Sequence, residues 1–471
     1  MKLHTKNILS LFGFDGAVRL LGFISTTYIA RTLGGTGFGL INLGLAVCSY
    51  GVIIVSPGVH IIATRMISQE TYDDESIVRQ VTRIRSALAL GTFTIMALLV
   101  AMFIRDAVTR WITIVYCLSL VPYAMTIDWY FQGKRRLTEI GVARSLGLIL
   151  FIILLYFFVH AEGDIRLVPF AYVLNLFCVA FLLFWLFWKS MGKESVNKNV
   201  PPQIFDWKRL IRQSIPVGAA NFLGQAVLNF PAILLGLFAT TLDIGYFSAA
   251  SKLIFFLLAI DRAIYSIFYP VVAKTAAVAP SELGGQVSRV LRYLSIVALP
   301  IFVGGIVLAK PLMLLTFGGE YLASVSLMQV LLFYFIFTVF NSIFAYAVIA
   351  AGREDRYSKI IATCSVVLLI ALLPLTYIWG AFGASFGLAA GELLMMVLMY
   401  RECRTLINSP FSIDIWRPLA SSLIMGVLLL EFAPANFGMS VPFGMILYTI
   451  CLLALRGLTR EDLVYLKERL I

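Results

Sequence analysis

Apolar residues along this chain gather into repeated runs of about twenty, the length that carries a helix across a hydrocarbon core of about 30 Å. The pattern predicts about fourteen spans, at 7–30, 37–58, 86–104, 109–130, 140–159 and 167–188 in the first half. The second half gives 214–239, 244–271, 290–309, 324–350, 360–378 and 382–400, followed by 418–433 and 441–455. The expected fold class is an all-α polytopic membrane protein. A soluble fold would need many helices that are apolar on every side and very little polar surface to coat them.

The basic residues fix the predicted orientation. With the N-terminus inside, the inner segments hold about 29 Lys or Arg and the outer segments about five, Arg31, Arg105, Arg110, Arg166 and Lys310. Arg65, Arg79, Arg83 and Arg85 count among the inner residues. Both termini are then cytoplasmic. Shifting one span would swap the later loops and spoil the asymmetry.

The longest inner loop, between Lys189 and Arg212, contains Gly192, Pro201 and Pro202 and reads as a hinge. Gly37-Phe38 opens the second span and Gly245-Tyr246 the eighth, an offset of about 208 residues. Because each half holds an even number of spans, the repeat is parallel, with binding expected between the halves near mid-membrane. The expected organisation is a six-helix lobe over 1–190, a basic linker over 191–212, a second six-helix lobe over 213–404, and two further helices with an amphipathic tail over 405–471. In the tail, LTREDLVYLKERLI reads as an interfacial helix, and Asp206 reads as the cap of the short helix WKRLIRQ.

Composition agrees with a membrane protein: of 471 residues, 60% are hydrophobic and 13% charged. The net charge of +12 lies in short loops rather than on one basic face, so nucleic acid is not an expected partner. Six cysteines stand singly without metal-binding spacing, and His4, His60 and His160 are scattered, so no metal site is expected. There is no GxxxxGK[ST] loop for ATP, and no cofactor is expected. The first apolar run is long, charged within, and lacks a small-residue cleavage site, so it is expected to stay as the first span.

Candidate chemistry rests on polar residues inside the spans, where charge is costly and marks function by default. Asp15 and Arg19 lie four residues apart in the first span, acid before base on one helix face. They either neutralise each other or form part of a polar cavity. Asn221, Gln225 and Asn229 step by four along the seventh span as one polar stripe. The eighth span carries Lys252, Asp261 and Arg262, with Lys252 and Asp261 on opposite sides of a continuous helix. Glu392 is the deep acid of the twelfth span. Lys252 and Arg262 could also snorkel to the interfaces, and the amides could serve only to join helices.

Four stretches resemble a known family. NILSLFGFDGAVRLLGFISTTYIARTLGGTGFGLINLGLAV is similar to the opening of polysaccharide flippases, and DWYFQGKRR to their aromatic-Phe-Gln-Gly turn. IRQSIPVGAANFLG and DIGYFSAASKL followed by IFYPVVAK resemble the seventh and eighth spans of that family. The resemblance covers about 7–280 and is to the Wzx-like polysaccharide and O-antigen flippases of the multidrug/oligosaccharidyl-lipid/polysaccharide exporter superfamily. It implies a non-enzymatic carrier in the bacterial inner membrane. Such a carrier moves an undecaprenyl-pyrophosphate-linked oligosaccharide from the cytoplasmic to the outer leaflet by alternating access.

A pyrophosphate would need deep cations, which Arg19, Lys252 and Arg262 can offer, with Arg31 at the outer mouth. Sugar hydroxyls would need amides, supplied by Asn221, Gln225 and Asn229. Asp15, Asp261 and Glu392 are candidates for ion coupling. Expected partners are the lipid-linked oligosaccharide, membrane lipids, and a polysaccharide polymerase and glycosyltransferases. Competing readings are a flippase for lipid-linked peptidoglycan precursors and a cation-coupled drug antiporter. A membrane enzyme on the same lipids is a third, but the outer loops are short and hold no acid, base or nucleophile cluster.

Overall fold

The computed structural model describes residues 2–69, 73–191, 207–406, 415–432 and 437–457. The first part of the chain forms α1 (Lys2–Val55), α2 (Val59–Ser68), α3 (Asp74–Phe103), α4 (Ala107–Leu118), α5 (Leu120–Met125), α6 (Asp128–Gly133), α7 (Leu137–Phe158) and α8 (Leu167–Met191). Then follow α9 (Trp207–Phe238), α10 (Thr241–Leu257), α11 (Ala259–Val278), α12 (Leu283–Val307), α13 (Ala309–Thr316) and α14 (Ser324–Ala350). The last are α15 (Glu354–Leu406), α16 (Trp416–Phe432) and α17 (Phe437–Ala454).

Among the described residues, nine helical segments are long and apolar enough to cross a membrane by length and composition. Large apolar side chains also cover their outer faces: Phe181 and Phe103 are 70% and 72% exposed. In water that surface would aggregate, whereas in hydrocarbon it is solvated. The interfacial helix expected over 459–471 and the cap expected at Asp206 lie outside the described residues.

Local chemistry accounts for the ends and breaks. Asp73 caps α3 by accepting from Ser76 N at 2.9 Å, and Asp106 caps α4 by accepting from Thr109 N at 2.7 Å. The Thr109 hydroxyl, with its amide, holds the exposed Asp106 carboxyl below the usual carboxylate range. In α1 and α15 a single glycine with positive φ, Gly34 (66°) and Gly380 (56°), separates two of the predicted spans. The two arms of α15 fold back on each other, because Gly383 lies against Leu375, Gly387 against Leu372 and Gly391 against Leu368.

Two predicted spans are not continuous. The span expected at 109–130 breaks into α4, α5 and α6. Pro122 has no N–H for the carbonyl of Leu118 and its ring crowds that carbonyl, and α4 ends at Leu118. The span expected at 244–271 breaks at Leu258 into α10 and α11. No proline or glycine stands at that break.

Chain contacts divide the molecule into two compact units, Met1–Ser248 and Ala249–Ile471. In the first unit, α9 packs along α1 and α2: Gly218 lies against Pro57 and Gly236 against Leu43. The same unit holds a direct backbone contact between the two repeat motifs. A Cβ on Gly39 would lie 1.8 Å from Thr241 O, and one on Gly245 would lie 2.0 Å from Gly35 O. Only glycine permits that approach.

The DWYFQG motif forms α6, whose Trp129, Tyr130 and Phe131 are fully buried with Ile67, Val81 and Leu183. Asp128 pairs with Arg144 at 2.7 Å, and Asp74 pairs with Lys134 at 2.7 Å. Arg85, expected as an inner-loop charge, is instead 2% exposed within α3. It donates from Nη1 to Thr126 O at 2.7 Å and from Nη2 to Tyr123 O at 2.9 Å, and it stacks 5.3 Å from the Tyr123 ring. Thr126 O lies at the break between α5 and α6 and takes its bond from Arg85, whereas Tyr123 O also accepts from the Thr126 amide at 3.2 Å and hydroxyl at 2.7 Å. The correction has a physical reason: the arginine replaces water at a backbone break inside the bundle.

Gly39→Ala is expected to lower unfolding stability by about 3 kcal/mol or more, because the added methyl meets backbone that cannot turn aside. Gly91→Ala, which meets nothing within 4 Å, is the control and should be neutral or slightly stabilising. Equal melting temperatures for the two variants in detergent would remove the contact from the account. Arg85→Met should cost about 1–3 kcal/mol in the same assay, since it strands the buried carbonyl of Thr126. Arg85→Lys should recover only part of the loss, because one ammonium does not match the planar fork.

Candidate functional site

In the first unit, Arg19 and Arg31 lie on α1, half-buried and exposed respectively, and Asn229 lies half-buried on α9. Each has interactions with neighbouring groups. The helices carrying Asp15, Asn221, Gln225 and Arg262 are described, but those four side chains lie outside the described residues.

The second unit gathers the acids. The Ser342 hydroxyl donates to Asp261 Oδ1 at 2.6 Å, and Asn341 Nδ2 donates to Glu392 Oε1 at 2.9 Å. Asn341 and Ser342 are consecutive on α14, so one helix holds an acid of α11 and an acid of α15. The two acids therefore share α14 as their hydrogen-bonding neighbour. Asp261 lies in the first turn of α11, where the free N–H groups favour a negative charge. The break at Leu258 is what places it there rather than in mid-helix.

Asp261, Asn341 and Ser342 are 9%, 7% and 9% exposed, and Glu392 is half-buried. Asn341 Oδ1 is buried without a hydrogen-bond partner. Beside Ser342, a cavity of about 20 Å³ lined by Asp261, Tyr269 and Tyr346 has room for one water. The donor set is carboxylate, hydroxyl and amide oxygen, which suits a proton or a hard cation. Among the described residues no three His, Cys, Asp or Glu gather as a metal site. Described cysteines are all free thiols.

Lys252, on α10, is half-buried and has no hydrogen-bond or ion-pair partner among the described residues. It pairs with neither Asp261 nor Glu392. Within the second unit, then, the structure joins two of the sequence-predicted acids and leaves the predicted cation apart from both. Sequence reasoning missed Asn341 and Ser342. The available signal was two adjacent polar residues in the middle of the apolar run FTVFNSIF.

Comparison with known proteins adds a family. A curated relative from Escherichia coli (strain K12), described as "Putative O-antigen transporter", is 23% identical over 417 residues, covering 84% of this chain and 95% of the relative. A second with the same description, from Shigella dysenteriae, is 24% identical over 421 residues, covering 85% of this chain and all (100%) of the relative. Among solved structures, the lipid II flippase MurJ in an inward closed conformation matches with a TM-score of 0.77 at 14% identity, over 94% of this chain and 98% of that one. An inward-facing multidrug resistance MATE family transporter of the MOP superfamily matches with a TM-score of 0.60 at 14% identity, over 82% and 94%. These likenesses establish a MurJ- and MATE-like fold. The profile of the polysaccharide biosynthesis protein family matches residues 4–276, more than half of the sequence, and the chain therefore belongs to that family.

Proposed function

We propose that this protein is a flippase carrying an undecaprenyl-pyrophosphate-linked oligosaccharide from the cytoplasmic to the outer leaflet of a bacterial inner membrane. The reading includes fourteen spans, both termini inside, and alternating access between two six-helix lobes over 1–190 and 213–404, related by a parallel repeat. Family membership and relatives described as O-antigen transporters support the substrate class. The fold shared with a lipid II flippase supports the leaflet-to-leaflet path.

The observation that carries the chemistry is Lys252. A half-buried ammonium with no described protein partner is costly in a membrane helix unless a ligand supplies the anion. In the proposal, Lys252, Arg19 and Arg262 meet the pyrophosphate, Arg31 meets it at the outer mouth, and Asn221, Gln225 and Asn229 bind sugar hydroxyls. Asp261 and Glu392, joined through α14, bind the coupling ion, with Asp15 a further candidate. A polymerase and glycosyltransferases of the same pathway are the proposed partners. The MurJ-like fold also favours a second reading, a flippase for peptidoglycan precursors. Rescue of a strain lacking that flippase would select it.

In reconstituted vesicles, Lys252→Ala is expected to slow flipping of the native lipid-linked substrate at least about tenfold, equivalent to about 1.4 kcal/mol. Lys252→Arg should retain most of the rate, and Arg19→Ala should be impaired like Lys252→Ala. Unchanged flipping by both alanine variants would sink the cationic cavity. For coupling, Glu392→Gln and Asp261→Asn should still bind substrate but no longer respond to an imposed proton or sodium gradient. A persistent response in both variants would take the acid pair out of coupling.

A further inference from the structure

The DWYFQGKRR stretch ends in three consecutive cations, and they do not share one fate. Lys134 pairs with Asp74 at 2.7 Å, and Arg136 Nε pairs with Glu139 at 2.8 Å. Arg135 is exposed and has no hydrogen-bond or ion-pair partner among the described residues. Its backbone is also strained. In the turn that ends α6, Arg136 N donates to Phe131 O at 2.8 Å and Arg135 N to Gln132 O at 3.0 Å. That turn puts Arg135 at φ 57°, the left-handed position that glycine takes without steric cost and a residue with a Cβ does not. The backbone gains nothing from arginine here, so its use lies in the side chain.

Arg135 lines an open hollow of about 470 Å³ together with Arg136, Thr138, Glu139, Val142 and Leu186. Two arginines and one glutamate give this lining a net charge of +1. Glu139 takes only the Nε donor of Arg136, which leaves the Nη donors for a ligand. The Thr138 hydroxyl is likewise exposed and without a partner among the described residues.

Both walls of the hollow belong to one membrane face. Leu186 stands near the end of α8 and Arg135 to Val142 lie at the start of α7, so the two helices run antiparallel past each other. One turn beyond Leu186, Lys189 Nζ stacks 4.9 Å from the Trp185 ring, and Trp185 and Trp188 are 51% and 58% exposed. Exposed tryptophans beside a lysine mark the boundary between hydrocarbon and headgroups. From the hollow, Val142, Leu146 and Ile149 form one exposed apolar stripe along α7 that reaches the middle of the span expected at 140–159. Cation at the boundary and apolar surface leading away from it repeat the order of a lipid headgroup and its chain.

We propose that this hollow is a binding site for the phosphate of an anionic bilayer phospholipid. The phosphodiester lies on Arg135, the Nη groups of Arg136 and the Thr138 hydroxyl, and an acyl chain follows the α7 stripe. A phosphodiester carries one negative charge, which matches the net +1 of the lining, whereas a pyrophosphate carries more and a free phosphate has no use for the stripe. Basic pockets between membrane helices recognise anionic headgroups in this way. In the proposed orientation the site faces the inner leaflet, and only that assignment rests on the flippase reading.

The test uses the full chain purified in detergent and offered equal phosphatidylglycerol and phosphatidylethanolamine with identical acyl chains. Native mass spectrometry should show phosphatidylglycerol preferred about fivefold, the gain of one basic residue near an anionic surface. Arg135→Gly should abolish the preference while the melting temperature stays equal or rises, since glycine relieves the left-handed strain. A lower melting temperature with the preference intact makes Arg135 structural and overturns the proposal, as does equal retention of both lipids by the unaltered protein. Displacement by inorganic phosphate, but not by chloride of the same ionic strength, removes the lipid as the source of the anion. A measurement that needs no variant is photolabelling by a phosphatidylglycerol with a diazirine on its headgroup. Labels should fall within residues 135–142 or 186–189, and labels confined elsewhere rule out the site. None of these measurements reads transport, so their failure leaves the flippase reading standing, and a protein that keeps the lipid but moves no oligosaccharide fails that reading alone.

Discussion

A backbone carbonyl inside hydrocarbon has no water to bond, and much of this structure follows from how such carbonyls are satisfied. Most lie within continuous helices. Where a helix stops or breaks, a long side chain reaches in. Arg85 serves Tyr123 and Thr126 at the break of the fourth predicted span, and the Tyr28 hydroxyl serves Val159 at the end of α7 at 2.7 Å. In the second unit, Gln329 serves Ile306 near the end of α12 at 3.0 Å, and Arg292 and Arg417 serve the end of α17. Several polar residues in the spans are therefore occupied by the fold before any ligand is considered. Lys252 is conspicuous because it has no such task among the described residues.

Apolar runs of bilayer length are legible because they have few other uses, and nine span-length apolar segments stand among the described residues. Breaks within spans were less readable. Pro122 carried a signal for the first break in its missing N–H, but the surrounding apolar run hid it. Leu258 carried none, so the register that put Lys252 and Asp261 on opposite faces of one helix assumed a continuity that is absent. Arg85 was misread for a related reason. Counting basic residues for orientation treats every charge near a span end as wet, and a buried guanidinium that caps carbonyls counts the same as a solvated one. Of the two glycines that mark the repeat, Gly37 and Gly245, the second has a steric cause in the backbone of Gly35. Gly35 and Gly39 on α1 touch Thr241 and Gly245 on α10 through backbone atoms.

The candidate acids show what a sequence withholds. Asp261 and Glu392 stand 131 positions apart, and nothing in their spacing suggests a pair. They are joined by two small polar residues on a third helix that look unremarkable in an apolar run. Asn341 and Ser342 point to different acids because adjacent residues on a helix are turned by about 100°. One rigid element thereby holds both carboxyls.

That arrangement bears on how a coupling ion would act. A buried carboxyl gains from a positive charge that it receives, since that charge offsets the cost of burial. The hydroxyl and the amide that hold the two acids are the groups that would have to turn when that charge arrives. Ser342 has a second acceptor within reach, Val339 O at 2.9 Å, and can swing to it if Asp261 is neutralised. The Asn341 amide can rotate to present Oδ1, now without a partner, to a protonated or cation-bound Glu392. Both responses are local rotations on α14. In the proposed coupling, charge at the acids would reach the arrangement of α11, α14 and α15 through two side chains, which is the physical minimum a gradient needs to bias a carrier.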